Sequence, residues 1–316
     1  MVGGEGSIEV IDWGGTRVLV TGGGGFLGEY LVRALAGRGA QVLPIPRSAD
    51  YNLVDGAEVR RVLDDTKPDL VFHLAARVGG IGANQKRPAT FFYENAMMGI
   101  QLLHECAMRK VSKLVMVGTV CSYPKVGTIP FVEHDLWNGH PEETNAPYGI
   151  AKRLLHTQSV AYRQQYGFNS VLVVPANLYG PGDSSDHVIP DLFRKIYAAR
   201  HEAEVVLWGD GTPTREFLHV ADCANGLVLA AEHYNDSEPL NLGSGEEVTI
   251  SSVAHIISGL IGTRANIRFD NSMPNGQPRR KLDSTKAAKI GFVASRRLMS
   301  GMRETYKWMV ENELKG

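Results

Sequence analysis

Short apolar runs alternate with longer amphipathic stretches from Arg17 to about Val174, and this rhythm leaves few folds open. Arg17–Thr21, Gln41–Ile45, Leu70–Leu74, Lys113–Val117 and Ser170–Val174 are apolar almost without interruption, as strands buried on both faces must be. Phe26–Arg38, Ala57–Asp65, Thr90–Arg109 and Tyr148–Tyr166 carry apolar residues at helical spacing. Strand–helix alternation of this kind predicts an α/β chain with a doubly wound parallel sheet covered by helices on both faces. After Pro175, clusters of Gly, Pro and Asp at 179–186, 209–213 and 272–278 predict a smaller, loop-rich C-terminal lobe. An apolar stretch, Phe217–Ala231, and a strand-like Pro239–Leu242 are expected to return to the sheet.

The first strand runs into Thr21-Gly-Gly-Gly-Gly-Phe-Leu-Gly28. A helix opening at Phe26 offers the backbone N–H groups of Phe26 and Leu27 and a positive dipole end to a pyrophosphate. Gly22 and Gly25 let the backbone turn and approach a ligand, and Gly28 permits close helix–strand packing. In this strand–loop–helix context the pattern predicts a Rossmann-type dinucleotide site. An acidic residue for the adenosine ribose is expected at the end of the second strand, where the chain instead reads Pro44-Ile-Pro-Arg47. Arg47 fits a 2′-phosphate and so NADP(H); Asp50 serving an NAD(H) ribose is the alternative. The expected division is a disordered leader at 1–13, an NADP-binding domain at 14–175 to which 217–242 returns, and a sugar-nucleotide-binding lobe at 176–216 and 243–316.

Tyr148 and Lys152 stand at i and i+4, on one face of the helix that Asn145-Ala-Pro147 starts. A Lys ammonium there stabilises a tyrosinate, so the phenol can exchange a proton with a carbonyl oxygen while a nicotinamide exchanges hydride with the carbon. Thr119, two residues beyond a predicted strand end, supplies a hydroxyl to orient that carbonyl. His73, within an apolar strand, reads as a core or cofactor-proximal residue.

With these residues the chain resembles the extended short-chain dehydrogenase/reductase family. Its motifs Thr-Gly-x-x-Gly-x-x-Gly, His-x-Ala-Ala and Tyr-x-x-x-Lys begin at Thr21, His73 and Tyr148, and the resemblance spans nearly the whole chain. It adds Leu74, Ala75 and Ala76 to the cofactor-binding residues. Within the family the chain is most similar to the branch that epimerises C3 and C5 and reduces C4 of a GDP-4-keto-6-deoxyhexose. Five stretches carry that likeness: Val78-Gly-Gly-Ile-Gly-Ala-Asn84, Gly118-Thr-Val-Cys-Ser-Tyr-Pro124, Pro175-Ala-Asn-Leu-Tyr-Gly-Pro-Gly182, His187-Val-Ile-Pro190 and Trp208-Gly-Asp-Gly-Thr-Pro-Thr-Arg-Glu-Phe-Leu-His219.

The resemblance implies that Cys121 and His187 are the epimerisation pair. The chemistry agrees, because protons beside a ketone are acidified by the enolate, so one group can remove a proton and another return it to the opposite face. The resemblance also nominates Asn177, Lys195, Arg215 and Arg280 for the diphosphate, with Trp208 near the base or sugar; Arg and Lys suit phosphates. The chain departs from the branch in its all-glycine loop, in Thr119 where Ser is common and in Lys195 where Arg is usual. Three alternatives stay open. One is a C4 reductase alone; another is a redox-neutral epimerase, either of these acting on a related nucleotide sugar such as a GDP-heptose. The third is a non-catalytic, cofactor-sensing Rossmann protein. Thr119-Val-Cys121 lacks the carboxylate that a 4,6-dehydratase carries there.

The formal charge of −1 gives no footprint for nucleic acid or an anionic membrane, and no apolar run approaches the ~20 residues of a membrane span. Three cysteines, Cys106, Cys121 and Cys223, far apart, suit a reducing cytoplasm and neither a disulfide framework nor a metal site. The expected partners are therefore small molecules, by resemblance a GDP-sugar, and, by resemblance through the helices at Thr90–Arg109 and Tyr148–Tyr166, a second copy in a homodimer.

Overall fold

Val18, Leu19 and Val20 are wholly buried, as a strand covered on both faces requires. The computed structural model describes residues 11–43, 48–273 and 275–314. Its first part runs β1 (Arg17–Thr21), α1 (Phe26–Gly37), β2 (Gln41–Val42), α2 (Gly56–Thr66), β3 (Leu70–His73), α3 (Ile81–Lys86), α4 (Pro88–Met108), β4 (Lys113–Val117), α5 (Ala146–Tyr166) and β5 (Ser170–Pro175). There follow β6 (Asn177–Tyr179), α6 (Val188–Ala198), β7 (Glu204–Trp208), β8 (Thr214–His219), α7 (Val220–His233) and β9 (Leu240–Leu242). The chain ends with β10 (Glu247–Thr249), α8 (Ile250–Ile261), β11 (Asn266–Asp270), β12 (Arg279–Arg280), α9 (Thr285–Lys289) and α10 (Leu298–Asn312).

Six parallel strands form the main sheet in the order β2-β1-β3-β4-β5-β9. The chain leaves β1 for β2 on one side and returns to β3 on the other, so the carboxyl ends of β1 and β3 flank the point where strand order reverses. Open α/β sheets bind ligands at such a point. Helices α1 and α7 pack together, as do α2, α4 and α5. A second sheet, β10-β8-β12 with β6 beside β8, and a parallel pair, β11-β7, lie beyond. Tyr179, Phe193, Leu207, Phe217, Ile257 and Met302 belong to a second apolar core there.

Several sequence expectations are adjusted. The leader was expected to reach Trp13, but Trp13 is buried and its Nε1 donates to Glu232 Oε1 at 2.7 Å; residues 1–10 lie outside the described residues. Strand β2 ends at Val42 rather than Ile45, and Arg47 lies outside the described residues, so its role stays an expectation. Phe217–Ala231 divides between β8 and α7, because its first three residues, Phe217–His219, pair with β6. Leu282, Ala287 and Phe292, expected in the second lobe, pack into the first core.

One buried charge ties the sheet to α7. Lys113 Nζ donates to the carbonyls of Ala230, Ala231 and Tyr234 at 3.0, 2.6 and 2.7 Å and to Asn235 Oδ1 at 2.8 Å, satisfying acceptors that a helix end otherwise leaves open. Lys113→Met should therefore lower the unfolding free energy by about 3 kcal/mol, as buried acceptors lose their partner. Denaturant unfolding checks this, and a loss under about 1 kcal/mol would contradict it.

Candidate active site

The floor of the site is the joint between β1 and β3. Thr21, fully buried, shares its Oγ1 with His73 Nδ1 at 2.8 Å and accepts from the Ala75 N–H at 3.3 Å. Gly22 turns with φ +73°, and a side chain there would put Cβ 2.8 Å from the Ala75 nitrogen. At Gly28 a Cβ would lie 2.2 Å from the Gly22 carbonyl oxygen, so α1 reaches the loop only because this residue has none. Gly25 caps α1 with no side-chain hydrogen bond, which leaves the first-turn N–H groups at Phe26 and Leu27 for a ligand. Leu74, Ala75 and Ala76 form the loop after β3. Asn95 of α4, buried, clasps its far end, accepting from the Arg77 N–H at 2.9 Å and donating to the Arg77 carbonyl at 3.0 Å. These features fit a dinucleotide pyrophosphate. Gly28→Ala should abolish measurable NADPH binding by fluorescence titration and cost about 2 kcal/mol of stability by overpacking; wild-type affinity would contradict the cradle.

Beyond β4, Thr119 caps a short 3₁₀ turn, Val120–Ser122, its Oγ1 accepting from the Cys121 N–H at 3.2 Å. Helix α5, with Asn145 as its cap and Pro147 in its first turn, holds Tyr148 and Lys152 on one face. The turn and the helix are locked together. Ser122 Oγ donates to the Gly149 carbonyl at 2.9 Å, and Arg153 donates Nε to the Ser122 carbonyl at 2.5 Å and Nη1 to that of Gly139 at 2.9 Å. Gly149 approaches so closely that a Cβ would sit 2.5 Å from the Cys121 carbonyl oxygen. Tyr148 is thereby brought against Thr119 and Cys121. Burial raises its phenol pKa and the Cys121 charge adds to this, while the Thr119 hydrogen bond opposes both. Burial lowers Lys152 to about 8, and burial with the nearby Lys152 charge lowers His73 to about 3, which keeps the imidazole neutral.

Two arginines flank the thiol. Strands β8 and β12 pair with Arg215 opposite Arg280, and Arg280 Nη1 donates to Cys121 Sγ at 3.3 Å. Gln277, buried, accepts from Arg280 Nε at 2.8 Å and donates its own amide to the Pro124 and Lys125 carbonyls at 3.0 and 3.1 Å. Burial, with the Arg280 charge next, pushes Arg215 down to about 9. Asn177 donates to the Glu216 carbonyl at 3.0 Å. Lys195 and Trp208 form a separate group: Nζ lies 5.0 Å over the indole and 2.7 Å from Asp191 Oδ2. Trp208 is 56% exposed.

His187 caps α6 from the loop after β6. That loop is anchored to α1 by the Tyr30 hydroxyl, donating to the Pro181 carbonyl at 3.0 Å, and towards α3 by the Gly80 N–H, donating to Asp186 Oδ1 at 3.0 Å. The structure thus joins Thr119, Cys121, Tyr148, Arg215 and Arg280 into one cluster. It holds His187 and the Lys195/Trp208 pair by other elements. Sequence reasoning missed Asn95, Arg153 and Gln277, whose partners lie on other elements. It also missed Asp183, whose one local signal is its place four residues before His187. Among the described residues no group of three or more His, Cys, Asp or Glu is arranged to hold a metal, and no helix is long and apolar enough to cross a membrane.

A Gly-rich cradle at the strand-order reversal and a Tyr–Lys pair beside a strand-end Thr define a dinucleotide-dependent carbonyl enzyme. The chain belongs to the NAD dependent epimerase/dehydratase family, which matches residues 18–243. It is similar to the GDP-L-fucose synthase of Sinorhizobium fredii, 38% identical over 308 residues that cover 94% of this chain and 96% of that one. Among solved structures it is similar to a GDP-mannoheptose C4 reductase from Campylobacter jejuni with NADP bound, at TM-score 0.86 and 27% identity over 93% of this chain and 98% of that one. A GDP-L-fucose synthetase from Naegleria fowleri bound to NADP matches at TM-score 0.85 and 27% identity, over 94% of this chain and 95% of that one.

Proposed function

We propose that the chain catalyses the NADPH-dependent 3,5-epimerisation and C4 reduction of a GDP-4-keto-6-deoxyhexose, the activity of a GDP-L-fucose synthase. The observation that carries this reading is the placement of the Cys121 thiol beside Tyr148 and Thr119, with Arg280 Nη1 3.3 Å from Sγ. A reductase alone needs only the Tyr–Lys–Thr group, and a thiol at the reacting carbonyl is what proton exchange adds. When bound, NADPH supplies the hydride for C4. Gly22, Gly25 and Gly28 with the Phe26 and Leu27 amides hold the pyrophosphate, and Leu74, Ala75 and Ala76 line the same crevice. Lys152 would complete the cofactor site and supports the Tyr148 phenol.

Thr119 and Tyr148 grip the C4 carbonyl oxygen, and Tyr148 gives it a proton as the carbon is reduced. The raised phenol pKa keeps that proton in place until the oxygen takes it. Cys121 removes the protons at C3 and C5, and His187 returns protons to the opposite faces. Arg215 and Arg280 offer fixed positive charge to the diphosphate or to the enolate, with Asn177 beside them, and Lys195 and Trp208 take the nucleotide end. The enzyme works in the cytoplasm as a homodimer. Phe92 and Tyr93 on α4 and Tyr166 on α5 remain exposed and support those helices as the shared face.

The reading is tested by offering NADPH or NADH with 4-keto-6-deoxy sugars linked to GDP, UDP or dTDP. NADPH should be consumed with the GDP sugar; turnover confined to the UDP or dTDP sugars would overturn the assignment.

A further inference from the structure

Asp183 is buried, 2% exposed, and its two carboxylate oxygens are treated differently. Oδ1 accepts from the Ser185 N–H at 3.1 Å and from the Ser185 hydroxyl at 2.5 Å. Oδ2 is buried with no hydrogen-bond partner among the described residues, and the His187 ring presents Nδ1 3.9 Å from it. A carboxylate oxygen is not left dry without reason, since burying it unpaired forfeits its hydration. Residues 183–187 precede α6, so the approach of Asp183 to His187 is made by the turn itself, with the Asp183 N–H donating to the Gly180 carbonyl at 3.3 Å. Hydrogen bonds of this kind are often long before substrate binds.

We propose that Asp183 is a positioning residue for His187: its buried Oδ2 accepts the Nδ1 proton, fixes the ring's orientation and tautomer, and leaves Nε2 as the nitrogen that hands a proton to the sugar. The chemistry rests on the epimerase reading above. At each epimerised carbon, Cys121 takes the C–H proton and the bonding electron pair passes into the enolate. A new C–H bond then forms on the other face as the His187 Nε2–H bond breaks. The imidazole is left neutral with Nδ1–H still on Asp183, and solvent restores the Nε2 proton and receives the one on sulfur.

The charges around His187 agree with an acid. Burial lowers its pKa, but the Asp183 carboxylate beside the ring, with the Asp186 charge, outweighs burial and raises it overall. Asp186 accepts from the Gly80 N–H, and the nearby Arg194 of α6 is engaged by the Ser185 carbonyl and by Glu313.

The test is Asp183→Asn, which keeps an oxygen for Ser185 and removes the charge. NMR titration of His187 should show its midpoint fall by about 1 pH unit or more, the size of a lost carboxylate neighbour. Deuterium incorporation at C3 and C5 should fall roughly 10-fold or more, with a shifted pH profile, while reduction of an already epimerised 4-keto sugar stays within about twofold of wild type. Asp183→Glu should recover part of the midpoint. An unchanged midpoint overturns the proposal, as does equal loss of exchange and reduction. If Asp183→Asn does not fold, the wild-type ¹⁵N shifts of neutral His187 decide: Nδ1–H supports the pair and Nε2–H overturns it. A midpoint that falls in an enzyme whose wild type exchanges no deuterium fells the epimerase reading and leaves the Asp183–His187 contact standing.

Discussion

Tyr148→Phe is expected to slow C4 reduction by roughly 10² or more, the scale of a lost general acid. The phenol is placed by α5 against Thr119, and burial keeps it protonated at neutral pH. Phenylalanine keeps the ring and its packing, so folding and NADPH affinity should change little. Deuterium exchange at C3 and C5 should persist, because the thiol and the imidazole that carry it are untouched. Single-turnover kinetics with saturating NADPH separate these steps; near-normal reduction would remove Tyr148 from the chemistry.

Cys121→Ser separates the activities in the opposite sense. A serine hydroxyl is a far weaker base than a thiolate, so proton abstraction at C3 and C5 should fall roughly 10²-fold or more. C4 reduction of the unepimerised sugar should continue, since Thr119, Tyr148 and Lys152 remain. The product would then be a C4-reduced sugar with its original C3 and C5 configuration, visible in proton couplings. Fully epimerised product at the wild-type rate would remove Cys121 from the mechanism. The two variants together bear on the alternatives: a reductase alone would be indifferent to Cys121, and a redox-neutral epimerase would not consume NADPH in proportion to product.

The parts of this molecule legible in its sequence are those governed by short-range patterns. Val18, Leu19 and Val20 or Leu114, Val115 and Met116 announce strands because parallel strands buried on both faces tolerate no polar alternation. Tyr148 and Lys152 are visible as a pair because one helical turn separates them. The second sheet was not legible: β6 and β10 have three residues each and β12 two, too short for a period, and they exist because β8 offers them backbone partners. The same distance hides the surroundings of Cys121. Its arginine neighbour lies 159 residues away, and Gln277, which holds that arginine, carries no local signal. Arg280 was nominated for the diphosphate by resemblance, and the fold puts it against the thiol. The stretch that separates NADP from NAD in the sequence, ending at Arg47, lies outside the described residues, so the cofactor proposal draws on the Gly-rich cradle and on relatives instead.

In the proposed mechanism one site both exchanges protons at C3 and C5 and reduces C4. The most direct measurement is NMR of the product formed from GDP-4-keto-6-deoxymannose with NADPH in deuterium oxide. The expected product is a sugar inverted at C3 and C5, with deuterium at both carbons and a hydroxyl at C4, formed with one NADPH consumed for each product. A product reduced at C4 with its original configuration and both C–H bonds intact would contradict it.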